Sequence, residues 1–190
     1  MCLFIKQFFT KPLSTGAIHP SSDELAELIT DTAELKKRSV IVEIGSGTGV
    51  FTQKICEKKN DNAGFFVIEL NPLFVEHTKR RCPAVNVVED SAANINLHLK
   101  NKGYNSCECI ISGLPWASFD NNMQDSILHN LYDAMAPGAV FLTFSYVQSL
   151  LMPSGRRFKN KLISMFGSVE QTKIIWKNVP PAFVYWVYKS

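Results

Sequence analysis

The chain has 190 residues, room for one domain with a single sizeable core. With 46% hydrophobic and 19% charged residues it is neither a disordered chain nor a strongly basic nucleic-acid tail. The net charge of +3 hides an asymmetry: residues 1–150 carry 13 basic against 16 acidic side chains, whereas residues 151–190 carry 7 basic side chains and a single acid, Glu170. Five cysteines, an odd number, match no zinc spacing, so no metal site is expected and free thiols fit a reducing, cytoplasmic setting. No signal peptide is expected, and no apolar run approaches the roughly 20 residues that span a bilayer.

In chain order, residues 1–38 are expected to form an N-terminal helical segment. Phe4, Ile5, Phe8 and Phe9 share one helical face, beside Lys6 and Lys11. That face fits either packing on the core or resting on a membrane surface. A loop follows through Gly16-Ala17-Ile18-His19-Pro20, and Ser21 with Glu24 has capping-box spacing at the head of the next helix. Strands are expected at 39–44, 65–70, 85–88, 109–112, 139–144, 172–176 and 183–188. Helices are expected around Phe51 and Ile55, over 72–81 and over 124–136. The alternation predicts an α/β fold with a seven-stranded, mainly parallel sheet and helices on both faces. Two closing strands with no helix between them predict an antiparallel end. Arg156 and Arg157, after Pro153-Ser154-Gly155, are expected on a loop between the fifth and sixth strands. The whole chain, 1–190, reads as one domain.

The strongest motif is Glu43-Ile44-Gly45-Ser46-Gly47-Thr48-Gly49, between an apolar strand and a helix. Its glycines permit a tight turn and close backbone approach to a ligand. The spacing is not that of a dinucleotide fingerprint, and Glu43 would repel a phosphate while suiting a cationic ligand such as an amino acid's ammonium group. Glu69 ends the second strand, where a carboxylate can accept from ribose hydroxyls. Asp90 ends the third, where it can accept from an exocyclic amine such as adenine N6. Three acids at three successive strand ends mark the crevice where open α/β sheets bind ligands.

In this combination the chain resembles the class I S-adenosylmethionine-dependent methyltransferases, which implies a three-layer Rossmann-like fold with S-adenosylmethionine as cofactor. The expected cofactor set is Glu43, Gly45, Ser46, Gly47, Thr48, Gly49, Glu69, Leu70, Asp90, Ser91, Ala92, Ser112 and Gly113. The fourth strand ends in Ser112-Gly113-Leu114-Pro115-Trp116, the position that faces the transferable methyl in that superfamily. Ser112 stands where adenine amino-methyltransferases usually carry Asn, and Trp116 where they carry Tyr.

Over nearly its full length the chain also resembles the bacterial phospholipid N-methyltransferases. The likeness rests on Phe8-Phe9, Gly16-Ala17-Ile18-His19-Pro20-Ser21-Ser22, Glu43–Thr52, Glu69-Leu70-Asn71-Pro72, Ser112-Gly113-Leu114-Pro115, Pro137-Gly138, Phe144-Ser145-Tyr146 and Asn178-Val179-Pro180-Pro181-Ala182. Thr143-Phe144-Ser145-Tyr146 departs from the Gln-Phe-Thr-Tyr frequent in that family. The resemblance implies methyl transfer to the amine of phosphatidylethanolamine and its methylated products. It makes Tyr146 and His19 catalytic candidates, and Leu114, Pro115, Trp116, Arg156 and Arg157 substrate candidates. It also implies peripheral attachment to an anionic membrane surface, with no nucleic acid and no obligate protein partner. Other readings are a ribosomal RNA adenine dimethyltransferase, a methyltransferase of another small or lipid amine, and a non-catalytic binding module. The RNA reading expects a helical domain after the last strand, and this sequence ends there.

Overall fold

A computed structural model describes residues 21–190. The expected N-terminal aromatic face and His19 lie outside the described residues. The first described helix, α1 (Asp23–Thr32), is capped by Ser22, whose side chain accepts from Leu25 N, one residue later than the Ser21 cap expected. Asp23 and Glu24 lie in its first turn, where negative charge suits the helix dipole. Ser22 N donates to Asn178 Oδ1 at 2.9 Å, and Asn178 Nδ2 donates to the Pro180 carbonyl. The Asn-Val-Pro-Pro segment therefore ties the start of α1 to the far end of the chain.

Then follow β1 (Val40–Ile44), α2 (Val50–Lys58), β2 (Gly64–Glu69), α3 (Pro72–Arg81), β3 (Asn86–Glu89) and α4 (Ile95–Asn101). The chain continues through β4 (Cys107–Ser112), α5 (Asn121–Ala134), β5 (Met135–Tyr146), α6 (Pro153–Phe166), β6 (Glu170–Gln171) and β7 (Ala182–Tyr188). The seven strands form one sheet in the order β3-β2-β1-β4-β5-β7-β6. All pairings through β5 are parallel, and β7 pairs antiparallel to both β5 and β6. The α/β class, the mainly parallel sheet and its antiparallel end are as the sequence predicts.

Strand alternation sends side chains to two cores. Val42, Ile44, Phe66, Ile68, Ile110 and Phe141 face α4, α5 and α6, while Ile41, Cys109, Ile111, Val140 and Leu142 face α1 and α2. Cys107 and Cys109 are buried in β4, and Cys56, Cys82, Cys107 and Cys109 are free. Among the described residues no cluster of metal-ligating side chains exists, and no helix is long and apolar enough to cross a membrane.

Two corrections bear on function. Arg156 and Arg157 are not on a loop; they sit in the first two turns of α6. Pro153 opens that helix, and Phe158, Leu162 and Phe166, four residues apart, bury its inner stripe. The strand expected at 172–176 is reduced to β6 and an isolated bridge from Ile175 to Ala182. There Val184 N donates to the Thr172 hydroxyl, a side chain in place of a ladder carbonyl. The inner stripe of α6 anchors the loop after β4: Phe158 stacks on Trp116 at 4.6 Å between ring centroids and 15° between planes. Phe158→Ala is expected to cost about 3–5 kcal/mol of stability, read from denaturant unfolding.

Candidate cofactor site at the carboxyl ends of the strands

The turn between β1 and α2 runs through three left-handed glycines: Gly45 at φ +72°, Gly47 at +54° and Gly49 at +78°. Any other residue would be strained there. A side chain at Gly45 would also strike Leu114, and one at Gly113 would strike the Gly45 carbonyl. The ends of β1 and β4 thus meet backbone against backbone. At Gly47 no atom of the described residues lies within 4 Å of where a Cβ would stand.

Glu69, at the end of β2, grips this turn. Its Oε2 accepts from Gly47 N at 3.1 Å and its Oε1 from Asn71 N at 2.9 Å. Burial pushes its carboxyl above the ordinary value, against the backbone donors that pull it down. The Ser46 and Thr78 hydroxyls, 2.8 Å apart, join the turn to α3. Asp90, at the end of β3, accepts from Ser91 N and Asn94 Nδ2 on Oδ1, while Oδ2 lies 2.7 Å from His98 Nε2. Burial raises the Asp90 carboxyl, but the hydrogen bonds from His98, Ser91 and Asn94 outweigh it and hold the group below its usual value.

A cavity of about 400 Å³ opens along these strand ends. It brings together Gly45, Glu69, Leu70, Asp90, Ser91, Ala92 and Leu114, all expected from the sequence. It adds Ile68, Ala93, Phe119, Asp120, Asn122, Met123, Ser126 and Ile127, which sequence reasoning missed. Five of these additions belong to the cap and first turns of α5, where Asp120 accepts from Met123 N. A signal existed: Asp120 followed by a helical stripe directly after the Ser-Gly-Leu-Pro loop. The wall has carboxylates for hydroxyls and amines and apolar side chains for a flat ring. Among the described residues no Lys, Arg or His lines it to meet a phosphate. That donor set fits a nucleoside with a cationic tail, and so fits S-adenosylmethionine.

Several expected site residues lie away from the cavity. Glu43 is fully buried; its Oε2 accepts from Thr52 Oγ1 on α2 at 2.6 Å, and its Oε1 has no partner among the described residues. Burial pushes its carboxyl up to about 8, so it is largely neutral at pH 7 and not the fixed negative charge the sequence implied. Trp116 is 3% exposed, stacked on Phe158 and edge-on to Phe119 and Phe141, with Nε1 donating to Ser112 Oγ. Its ring is engaged by the core and is not among the lining residues. Ser112 Oγ also accepts from Leu114 N, so this hydroxyl folds the loop after β4. Tyr146 is half-buried at the end of β5, edge-to-face with Phe144, and burial pushes its hydroxyl up. Arg156 and Arg157 are exposed on α6, outside the cavity. The first turn of α6 still abuts the loop after β4: Ser154 Oγ donates to the Ala117 carbonyl at 2.6 Å. Gln124 Nε2 clasps both, donating to the Trp116 and Ser154 carbonyls.

Glu43 sets a pH dependence. An unfolded glutamic acid ionises near 4.5, whereas here the value is about 8. Between them the folded chain keeps a proton that the unfolded chain releases, so stability falls as pH rises through that window. Glu43→Gln is expected to flatten the slope, measured by chemical unfolding at pH 5 and pH 8 without cofactor. Gly113→Ala pushes β4 off the Gly45 carbonyl and is expected to lower stability by about 1–3 kcal/mol and weaken cofactor binding, read by thermal melting and calorimetry.

No protein-family model matches the chain. It is 25% identical over 186 residues to the ornithine lipid N-methyltransferase of Singulisphaera acidiphila, covering 96% of this chain and 93% of that protein. It is 24% identical to the ribosomal RNA small subunit methyltransferase A of Streptococcus thermophilus over 70% of this chain but 46% of that one. The fold matches an O-methyltransferase from Bacillus cereus, solved with SAH, at TM-score 0.72 and 14% identity, covering 98% of this chain and 90% of the other. It matches the O-methyltransferase TomG from Streptomyces achromogenes, solved with SAM, at TM-score 0.71 and 16% identity, covering 100% and 91%. Strand order, three-glycine turn and acid-lined cavity agree with these likenesses, and the chain is a class I methyltransferase that uses S-adenosylmethionine.

Proposed function

We propose that the chain is an N-methyltransferase of amine-bearing membrane lipids, with phosphatidylethanolamine and its partly methylated products as acceptors. The observation that carries this reading is the likeness to a lipid N-methyltransferase along nearly the whole of both chains. When bound, S-adenosylmethionine supplies an electrophilic methyl on a sulfonium. The chain's own task is then to hold cofactor and amine in line and to exclude water.

Glu69 offers its remaining lone pairs to the ribose hydroxyls, and Asp90 offers Oδ2 to the adenine amine. Ile68, Leu70, Phe119, Met123 and Ile127 supply apolar walls for the ring. Among the carbonyls of the loop after β4, Ser112 accepts from Thr143 Oγ1 and Leu114 accepts from Trp116 N. Gly113's carbonyl accepts from none of the described residues, so we assign it the amine. The attacking amine must be neutral, whereas an ethanolamine head group is mostly protonated at pH 7. Tyr146, kept protonated by its raised pKa, is suited to steer the ammonium with its oxygen or ring face rather than to take the proton. His19, outside the described residues, is the sequence-derived candidate for that.

Phosphate recognition is assigned to Arg156 and Arg157. The start of α6 has no side-chain cap, both arginines are exposed on its opening turns, and Arg156 Nε donates to the Leu150 carbonyl at 3.0 Å, which holds that guanidinium at the head of the helix. Exposed apolar side chains gather near the same end of β5: Leu151 and Met152 before α6, and Trp176 and Val179 before β7. Apolar and cationic groups together suit peripheral contact with an anionic membrane surface. A second reading, methylation of an ornithine lipid amine, is favoured by the relative's own substrate.

The test offers labelled S-adenosylmethionine with vesicles of phosphatidylethanolamine, vesicles of ornithine lipid, or ribosomal RNA. Label is expected in phosphatidylethanolamine. Label in ornithine lipid alone selects the second reading, and label in RNA alone overturns both. The Arg156→Ala/Arg157→Ala double variant is expected to raise KM for phosphatidylethanolamine several-fold with little change in kcat.

A further inference from the structure

Asp90 spends most of its hydrogen-bonding capacity on its own chain. Oδ1 accepts from Ser91 N at 2.7 Å and Asn94 Nδ2 at 2.9 Å, which fills its two lone-pair sites. Among the described residues Oδ2 meets only His98 Nε2, at 2.7 Å, and so keeps one lone pair free of them. The direction of that lone pair depends on how the carboxylate is turned, and His98 is the one side-chain partner on that oxygen among the described residues. The imidazole is itself well anchored. It stands on α4, whose Ile95 and Leu99 are buried at 0% and 1% exposure, and its side chain is 13% exposed against 30% for Asp90. The rigid member of the pair is thus the histidine, and the half-open member is the carboxylate on the cavity wall.

We propose that His98 is a positioning residue for nucleobase recognition: it holds Asp90 Oδ2 so that its free lone pair accepts from the 6-amino group of the adenine. The proposal rests on the assignment of Asp90 as the adenine acceptor. His98 touches neither cofactor nor acceptor; it acts through Asp90. Its effect is therefore specific to the amine. A histidine that merely stabilised α4 would support every ligand of the cavity equally.

The experiment measures binding of S-adenosylhomocysteine and of its analogue lacking the 6-amino group, by calorimetry on the full chain. The unaltered protein is expected to prefer the amine-bearing ligand by about tenfold, one charge-assisted hydrogen bond. His98→Leu is expected to collapse that preference to within about twofold of equality. His98→Gln places an N–H close to the Nε2 position and is expected to keep the preference within about twofold of the unaltered protein. If His98→Leu weakens both ligands equally and the preference persists, or if His98→Gln loses the preference as Leu does, the proposal is overturned. Asp90→Ala separates the two layers. Its preference must vanish if Asp90 is the adenine acceptor; if it persists, that assignment falls and takes the proposal with it. If Asp90→Ala loses the preference while His98→Leu retains it, the assignment stands and the role of His98 alone falls.

Discussion

Glu69 holds the glycine turn that the rest of the site is built around. Three left-handed glycines carry a conformational cost that no other residue type could meet there. The Glu69 carboxylate takes Gly47 N on one oxygen and Asn71 N on the other, so one side chain fixes both the turn after β1 and the start of α3. Asn71 in turn caps α3 through Leu73 N. With the turn held, Gly45 and Gly113 pass at backbone contact, and the strand ends stay close enough for β1, β2, β3 and β4 to share one crevice.

The acids of that crevice do different work because their surroundings differ. Glu69 is buried but solvated by backbone N–H groups. Asp90 is half-open and paired with His98, which keeps it ionised. Glu43 is sealed beneath α2 with one hydroxyl partner, and burial holds it largely neutral. Three carboxyls that look equivalent in the motif are thus an anchor, an acceptor and a buried acid. The loop after β4 shows the same division: the Ser112 hydroxyl and the Trp116 indole bond to each other and fold the loop, and its Leu114 side chain reaches the cavity wall.

Much of the fold was legible because it depends on local periodicity. Residues 72–81 read as a helix, and the structure places α3 there, with Pro72 in its first turn and Lys79, Arg80 and Arg81 in its last. The apolar runs of β1, β2, β4 and β7 stood out because both faces of the sheet are covered. Where local signals conflict, the reading failed. In α4, Ile95, Leu97 and Leu99 alternate as a strand would, yet the structure buries Ile95 and Leu99 and leaves Leu97 53% exposed. In α6, Pro153-Ser154-Gly155 reads as a turn, while the deciding stripe of Phe158, Leu162 and Phe166 matters only because Trp116 and Phe141 wait opposite it.

The sequence by itself determined the fold class, the cofactor turn and three acids at successive strand ends, because strand–turn–helix order and glycine spacing are local properties that survive in any tertiary context. Only the tertiary structure decided which acids line the cavity and which is sealed in the core, that Trp116 is core, that α5 supplies one wall of the cavity, and that His98 stands behind Asp90. Those are questions of burial and of hydrogen-bond partners drawn from distant segments, and neither burial nor partnership is a property of a residue until the chain has closed around it.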